Sequence, residues 1–238
     1  MGEAIAIVSG KGGVGKTMFA ANLGGTLALS GSRVVLIDMD MGLRNLDLFM
    51  GLENRVVYDV ADVLGGVCRI RQAMIRDRRF PELYVIAAPQ NKEKFEITPL
   101  HLKVLCGKLK TRFDYVIIDS PAGIEEGFMN AIAGADKAII VTTPEYAAIR
   151  DADKVDKVLR ENGISRREVV LNRLKSELMS TGLMPGISEI AGMLRTEIIG
   201  LIQEDDNIHI ASNNGTPIIL KKGTYIRENF EKIAERIK

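Results

Sequence analysis

The sequence predicts an α/β fold: a doubly wound, mostly parallel sheet with helices on both faces. Three observations carry that reading. Apolar, β-branched runs of strand length alternate with stretches of helical periodicity along the chain. The first run leads directly into Gly10-Lys11-Gly12-Gly13-Val14-Gly15-Lys16-Thr17, which fits G-x-x-x-x-G-K-[ST], the P-loop pattern. The 238 residues, 46% hydrophobic and 26% charged, suit one domain, 1–238, with a sizeable core.

The first strand is expected over 4–9, and the helix after the loop begins at Lys16 or Thr17, with Phe19, Leu23, Leu27 and Ala28 at helical spacing. A second strand, 33–38, ends on Asp38, and a loop through Asp40 to Asp47 follows. Short helices are expected over 59–64 and 71–75, a strand over 83–87 and a helix over 99–109. Residues 114–119 form the most strand-like run and end on Asp119. A strand over 137–142 precedes a long helix, 146–161, with Ile149, Val155, Val158 and Leu159 on its apolar side. The remainder reads as a strand (168–172), a helix (187–194), a strand (198–202) and a final helix (225–237). No repeat, low-complexity tract or linker interrupts this order.

The loop's chemistry follows from its residue types. Glycines let the backbone turn tightly and aim several N–H groups at one point, where the following helix adds the positive end of its dipole. Lys16 can reach the β/γ-phosphates of a bound nucleotide, and the Thr17 hydroxyl can ligate Mg²⁺. In sheets of this kind ligands bind beyond the carboxyl ends of the strands, where Asp38, Asp40 and Asp119 should lie. Asp119, ending an apolar run, has the setting of a Walker B acid that holds Mg²⁺, through water. A carboxylate at Asp38 or Asp40 can orient a water for attack on the γ-phosphate and also feel the metal.

Lys11 is a second lysine, at the outer lip of the loop. With it, Gly-Lys-Gly-Gly-Val-Gly-Lys-Thr resembles the deviant Walker A loop of the MinD/ParA ATPases. Residues 42–47 resemble switch I of the MinD branch of that family, and Asp119-Ser120-Pro121-Ala122-Gly123-Ile124-Glu125 its switch II. Thr143-Pro144-Glu145 and Arg150-Asp151-Ala152-Asp153 resemble its partner-binding region, and residues 211–218 also match, so the resemblance runs from Ile5 to about Leu220. It implies a slow ATPase with Mg²⁺ as cofactor. ATP would close two subunits face to face, with Lys11 crossing to the partner's nucleotide. By the same resemblance residues 11–18 (Lys11, Gly12, Gly13, Val14, Gly15, Lys16, Thr17 and Met18) cradle the phosphates, and Asp40 positions the attacking water. Asp38 and Asp119 hold the Mg²⁺ shell, and Asn172 with Arg173 contacts adenine. The implied role is placement of the division septum. The partners would be a division inhibitor and a topological regulator (MinC-like and MinE-like), meeting the helix near Glu145, Asp151 and Asp153.

Three departures from the family pattern stand out. Met18 occupies a position where the family usually has a second Thr, and Gln203 one where it usually has Pro. The family's short basic amphipathic membrane tail is not evident here. In the final helix Ile226, Phe230, Ile233 and Ile237 share one face, which reads as a core-packing stripe rather than a lipid anchor. Its mixed charges, Arg227, Lys232, Arg236 and Lys238 against Glu228, Glu231 and Glu235, supply little attraction to anionic lipid. The expected location is cytoplasmic, peripheral to the inner face of the cell membrane through such a tail when ATP is bound.

Other groups point to less. Net charge is +1, so no global basic field favours nucleic acid. That weighs against the alternative, a ParA-type DNA- or plasmid-partitioning ATPase. Cys68 and Cys106 are far apart and lack C-x-x-C spacing, against an iron–sulfur carrier on the same fold. No acceptor pocket or Arg-rich lid of a small-molecule kinase is readable. Arg69, Arg71, Arg76, Arg78 and Arg79 read as a solvated face near Asp77 and Glu82. His101 and His209 have no metal-ligand spacing and receive no role.

Overall fold

The structure is a computed structural model, and it describes residues 1–91 and 95–238. In chain order its elements are β1 (Glu3–Val8), α1 (Lys16–Leu29), β2 (Val34–Asp38), α2 (Leu46–Phe49), α3 (Val60–Leu64), α4 (Ile70–Ala73), β3 (Ile75–Arg76), β4 (Leu83–Ile86) and α5 (Pro99–Leu109). There follow β5 (Tyr115–Asp119), α6 (Glu126–Ala133), β6 (Lys137–Thr142), α7 (Tyr146–Glu161), β7 (Arg166–Leu174), α8 (Ser176–Ser180), α9 (Ile187–Met193), β8 (Ile198–Gln203), α10 (Asp206–Asn213) and α11 (Tyr225–Ile237).

The strands form one sheet in the order β3-β4-β2-β5-β1-β6-β7-β8. All neighbours are parallel except β3 and β4, as expected for a mostly parallel sheet. Side chains alternate between its faces. Ile5 and Ile7 of β1, Leu36 of β2 and Ile117 of β5 face α1 and α11. Ala4, Ile37 and Ile118 face the α5 side, while Ala6, Val8 and Ile140 face α7. Burial of both faces is why these strands read as continuous apolar runs.

Helix α11 is a core element. Ile226, Phe230, Ile233 and Ile237 are buried, and the Phe230 ring stacks on Phe19 of α1 with centroids 5.7 Å apart. Among the described residues no helix is long and apolar enough to cross a membrane.

Three expectations shift. The helix read over 71–75 ends at Ala73, and Ile75 instead pairs with Val85 as an antiparallel edge strand. Burying the β-branched Ile75 against β4 outweighs one more helical turn. The strand read over 168–172 extends to Arg166–Leu174, its outer end held by Arg167, which donates to Asp156 at 2.7 Å. Helices α2, α6, α8 and α10 form where the sequence reading placed no helix, α2 starting within the loop expected to run to Asp47.

Candidate nucleotide site

β1 lies between β5 and β6, and β2 borders β5, so the loops after β1, β2 and β5 meet at one end of the sheet. The P-loop connects β1 to α1. Gly15 is the residue before α1 and has φ of 96°, a left-handed conformation that a side chain would strain. Gly10 is needed for a different reason: a Cβ there would fall 2.7 Å from both the Cβ and the carbonyl oxygen of Asp151 on α7. The loop is thus pressed against the first turns of α7.

Lys16 is buried, and its Nζ donates to the Ser9 hydroxyl at 2.9 Å. Ser9 Oγ in turn donates to the Lys11 carbonyl at 2.8 Å. Burial holds the Lys16 ammonium below its ordinary pKa, while the charges of Asp119 and Asp40 pull it back up. Lys11 is exposed at the rim.

Two carboxylates end neighbouring strands in register, Asp38 beside Asp119. Both are buried, and burial, reinforced by nearby carboxylates, raises both pKa values. Their surroundings differ. Asp38 accepts from the backbone N–H groups of Asp40 at 2.9 Å and Leu46 at 3.1 Å, so it anchors the loop from Asp40 to Leu46. Neither carboxylate oxygen of Asp119 has a partner in good hydrogen-bond geometry, although the Thr17 hydroxyl, and then the charge of Lys16, favour its ionised form. Two orphaned buried oxygens beside a hydroxyl are a donor set that fits a hard cation. Among the described residues no cluster of three His, Cys, Asp or Glu side chains could hold a metal unaided. Mg²⁺ uses one or two protein ligands together with water and substrate phosphate, a number that Asp119 and Thr17 can supply. The loop after β5 is tied to the same place, Gly123 N–H donating to the Ser9 carbonyl at 3.0 Å.

Beyond Gly15 lies a cleft of about 140 Å³. Asn172 and Arg173, adjacent in sequence, both line it, although neighbours in a regular strand point to opposite faces. The reason is a break in β7. The register with β8 shifts between Leu171 and Leu174, and Arg173 is left-handed with φ of 57°. Asn172 is buried, and its Nδ2 donates to the Val14 carbonyl at 2.7 Å. Met18 and Gln203, the two departures noted above, also line the cleft, so the Met18 side chain serves its wall.

Known proteins match this arrangement along the whole chain. The model of the CobQ/CobB/MinD/ParA nucleotide binding domain matches residues 5–218. The septum site-determining protein MinD of Bacillus subtilis is 48% identical over 239 residues, spanning 100% of this chain and 89% of that protein. The chain belongs to the MinD family. Among solved structures, MinD in the MinC:MinD cell division complex of Aquifex aeolicus superposes with a TM-score of 0.91 at 40% identity, covering 99% of this chain and 95% of that one. MinD from Pyrococcus horikoshii, complexed with Mg-ADP, gives 0.91 at 30% identity, covering 100% and 96%.

Within this MinD-family site the residues singled out from sequence come together. Residues 11–18 form the loop and first helical turn, Lys16 lies within electrostatic reach of Asp40 and Asp119, and Asn172 and Arg173 share the cleft. Sequence reasoning missed Ser9, the acceptor for Lys16. It also missed Phe49, Ile208 and His209, which line the cleft from α2 and α10. His209, given no role from its spacing, is a wall residue here. Only helix α10 itself could have signalled the last two, and its composition of Asn, His and Ser hid it.

Proposed function

We propose that the chain is an ATP-hydrolysing switch that dimerises with ATP and acts in placing the division septum. The carrying observation is the convergence of Lys16, Asp119 and Asp40 on the P-loop of a MinD-family chain. Residues 1–238 act as one P-loop domain. The N–H groups of residues 11–18 cradle the phosphates, and Lys16 moves from Ser9 to the β/γ-phosphates. Thr17 and Asp119 hold Mg²⁺, with Asp38 completing the shell while anchoring the loop after β2. The metal, when bound, neutralises charge on the phosphate oxygens. Asp40 orients the attacking water, and Asn172 and Arg173 seat the adenine. Lys11 at the rim reaches across the dimer to the partner's nucleotide. A lysine in trans ties hydrolysis to the closed dimer, so loss of the γ-phosphate releases the switch loops and opens it.

The solved MinC:MinD complex of a relative supports a MinC-like division inhibitor as partner. Helix α7, with Glu145 before it and Asp151 and Asp153 in its first turns, is the proposed surface, shared with a MinE-like regulator. The protein then works in the cytoplasm, and at the inner face of the membrane only through a C-terminal tail of the family's kind, which is not evident in residues 1–238; α11 is a core element and does not serve as that anchor. The DNA-partitioning reading has less support, because a net charge of +1 supplies no field for duplex DNA.

The test is light scattering with saturating Mg-ATP. Lys16→Ala is expected to abolish turnover, strongly weaken ATP binding and stay monomeric. Asp40→Ala is expected to retain ATP and accumulate as dimer. An Asp40→Ala protein that stays monomeric would count against both the dimer and the role of Asp40.

A further inference from the structure

The structure also holds a larger concavity, away from the candidate nucleotide site. Between α4 and α5 runs a groove of about 730 Å³. Its walls are apolar: Ile70 and Met74 on one bank, Leu100, Val104 and Leu105 on the other, with Phe113 beneath. Leu100 and Val104 are 66% and 47% exposed and one helical turn apart, so they form a continuous stripe along α5. Phe113 precedes β5, at the end of that strand opposite Asp119.

Four exposed cations, Arg69, Arg71, Lys108 and Arg112, also line this groove. None has an acidic partner among the described residues. Nearby cations are paired: Arg33 with Asp114, Arg76 with Glu82 and Lys110 with Asp136. The arginine run read from sequence as one solvated face is therefore divided. Arg76 and Arg79 are neutralised by Glu82 and Asp77, while Arg69 and Arg71 turn their charge to the groove.

We infer that this groove docks an acidic amphipathic helix of another protein. The floor takes the apolar face of such a helix, and the four cations meet carboxylates flanking that face. Concavity favours a protein segment over a bilayer, because Leu105 and Phe113 lie buried behind the exposed Leu100–Val104 stripe, where a helix can reach into the groove and a flat lipid surface does not. The occupant can bind without touching the P-loop or α7.

The test is fluorescence anisotropy of the full chain with a labelled designed helix carrying Leu on one face and Glu beside it. Three comparison probes are a scrambled peptide of the same composition, the same helix with Lys replacing Glu, and phosphatidylglycerol vesicles. The acidic helix is expected to bind, more weakly as salt rises. Arg71→Glu combined with Arg112→Glu should weaken it by about tenfold or more, and Val104→Asp should weaken it similarly, with ATP turnover unchanged in both. The inference is overturned if the scrambled or Lys helix binds as well, or if neither variant alters affinity. It is also overturned if the vesicles bind and the charge reversal releases them, since the groove would then be a lipid site.

Discussion

Asn172 supports the P-loop from below: its Nδ2 donates to the Val14 carbonyl at 2.7 Å and occupies the space where a side chain on Gly15 would project. Gly15→Ala therefore meets two penalties, a left-handed backbone costing about 1–3 kcal/mol and a collision with Asn172. The expected result is a lower melting temperature and loss of nucleotide binding by calorimetry. Asn172→Ala, which removes the support without the collision, should weaken nucleotide binding but leave the protein folded. Full ATP affinity in Gly15→Ala would show that the loop tolerates a side chain.

Asp119 supplies a pH prediction. Its carboxyl is easier to protonate in the native protein than in the unfolded chain, because burial and Asp38 disfavour the charge. The native state thus binds more protons, so this group's contribution to stability is greatest in acid. It falls as pH rises from about 3.9, the ordinary value, through the raised native value. Asp119→Asn should flatten that slope and raise the melting temperature of nucleotide-free protein near neutrality, while Mg-dependent ATP binding weakens. An unchanged pH slope in the variant would mean that Asp119 is not the strained group.

Helix α7 is expected to carry a partner surface separable from chemistry. Asp153 is half-exposed on it. Asp153→Lys should weaken binding of a MinC-like or MinE-like partner at least several-fold in a titration, and leave basal ATP turnover intact. Unaltered affinity for both would move the partner site elsewhere.

Phe230 tests the role of α11. Fully buried and stacked on Phe19, it should cost about 3–5 kcal/mol when replaced by Ala, read from denaturant unfolding. A loss below about 1 kcal/mol would show that α11 is only loosely held.

The legible parts of this molecule were those written in local chemistry. β1, β2, β5 and β6 are buried on both faces and so read as apolar runs, and the P-loop declares itself by glycine spacing and one lysine. Asp38 and Asp119 were found because they end such runs. Asn172 and Arg173 came only from resemblance, since the left-handed turn that brings both into one cleft leaves no mark in residue type. Helix α10 went unread because its propensity is poor; it is held by the Asp205 side chain, which accepts from Asn207 N–H at 2.7 Å, and by burial of Ile208. Met18 was identified as a departure, but its place in the cleft wall depends on tertiary packing.

The position of β1 governs how the molecule can be made. Both of its neighbours, β5 and β6, lie far downstream of it in the chain. Until β6 has emerged, Ile5 and Ile7 have no completed sheet to enter and the loop after them has no wall to lean on. Nucleotide capture by a growing chain must therefore wait until β6 has been made, and through that interval the apolar side chains of β1 stay open to wrong pairings.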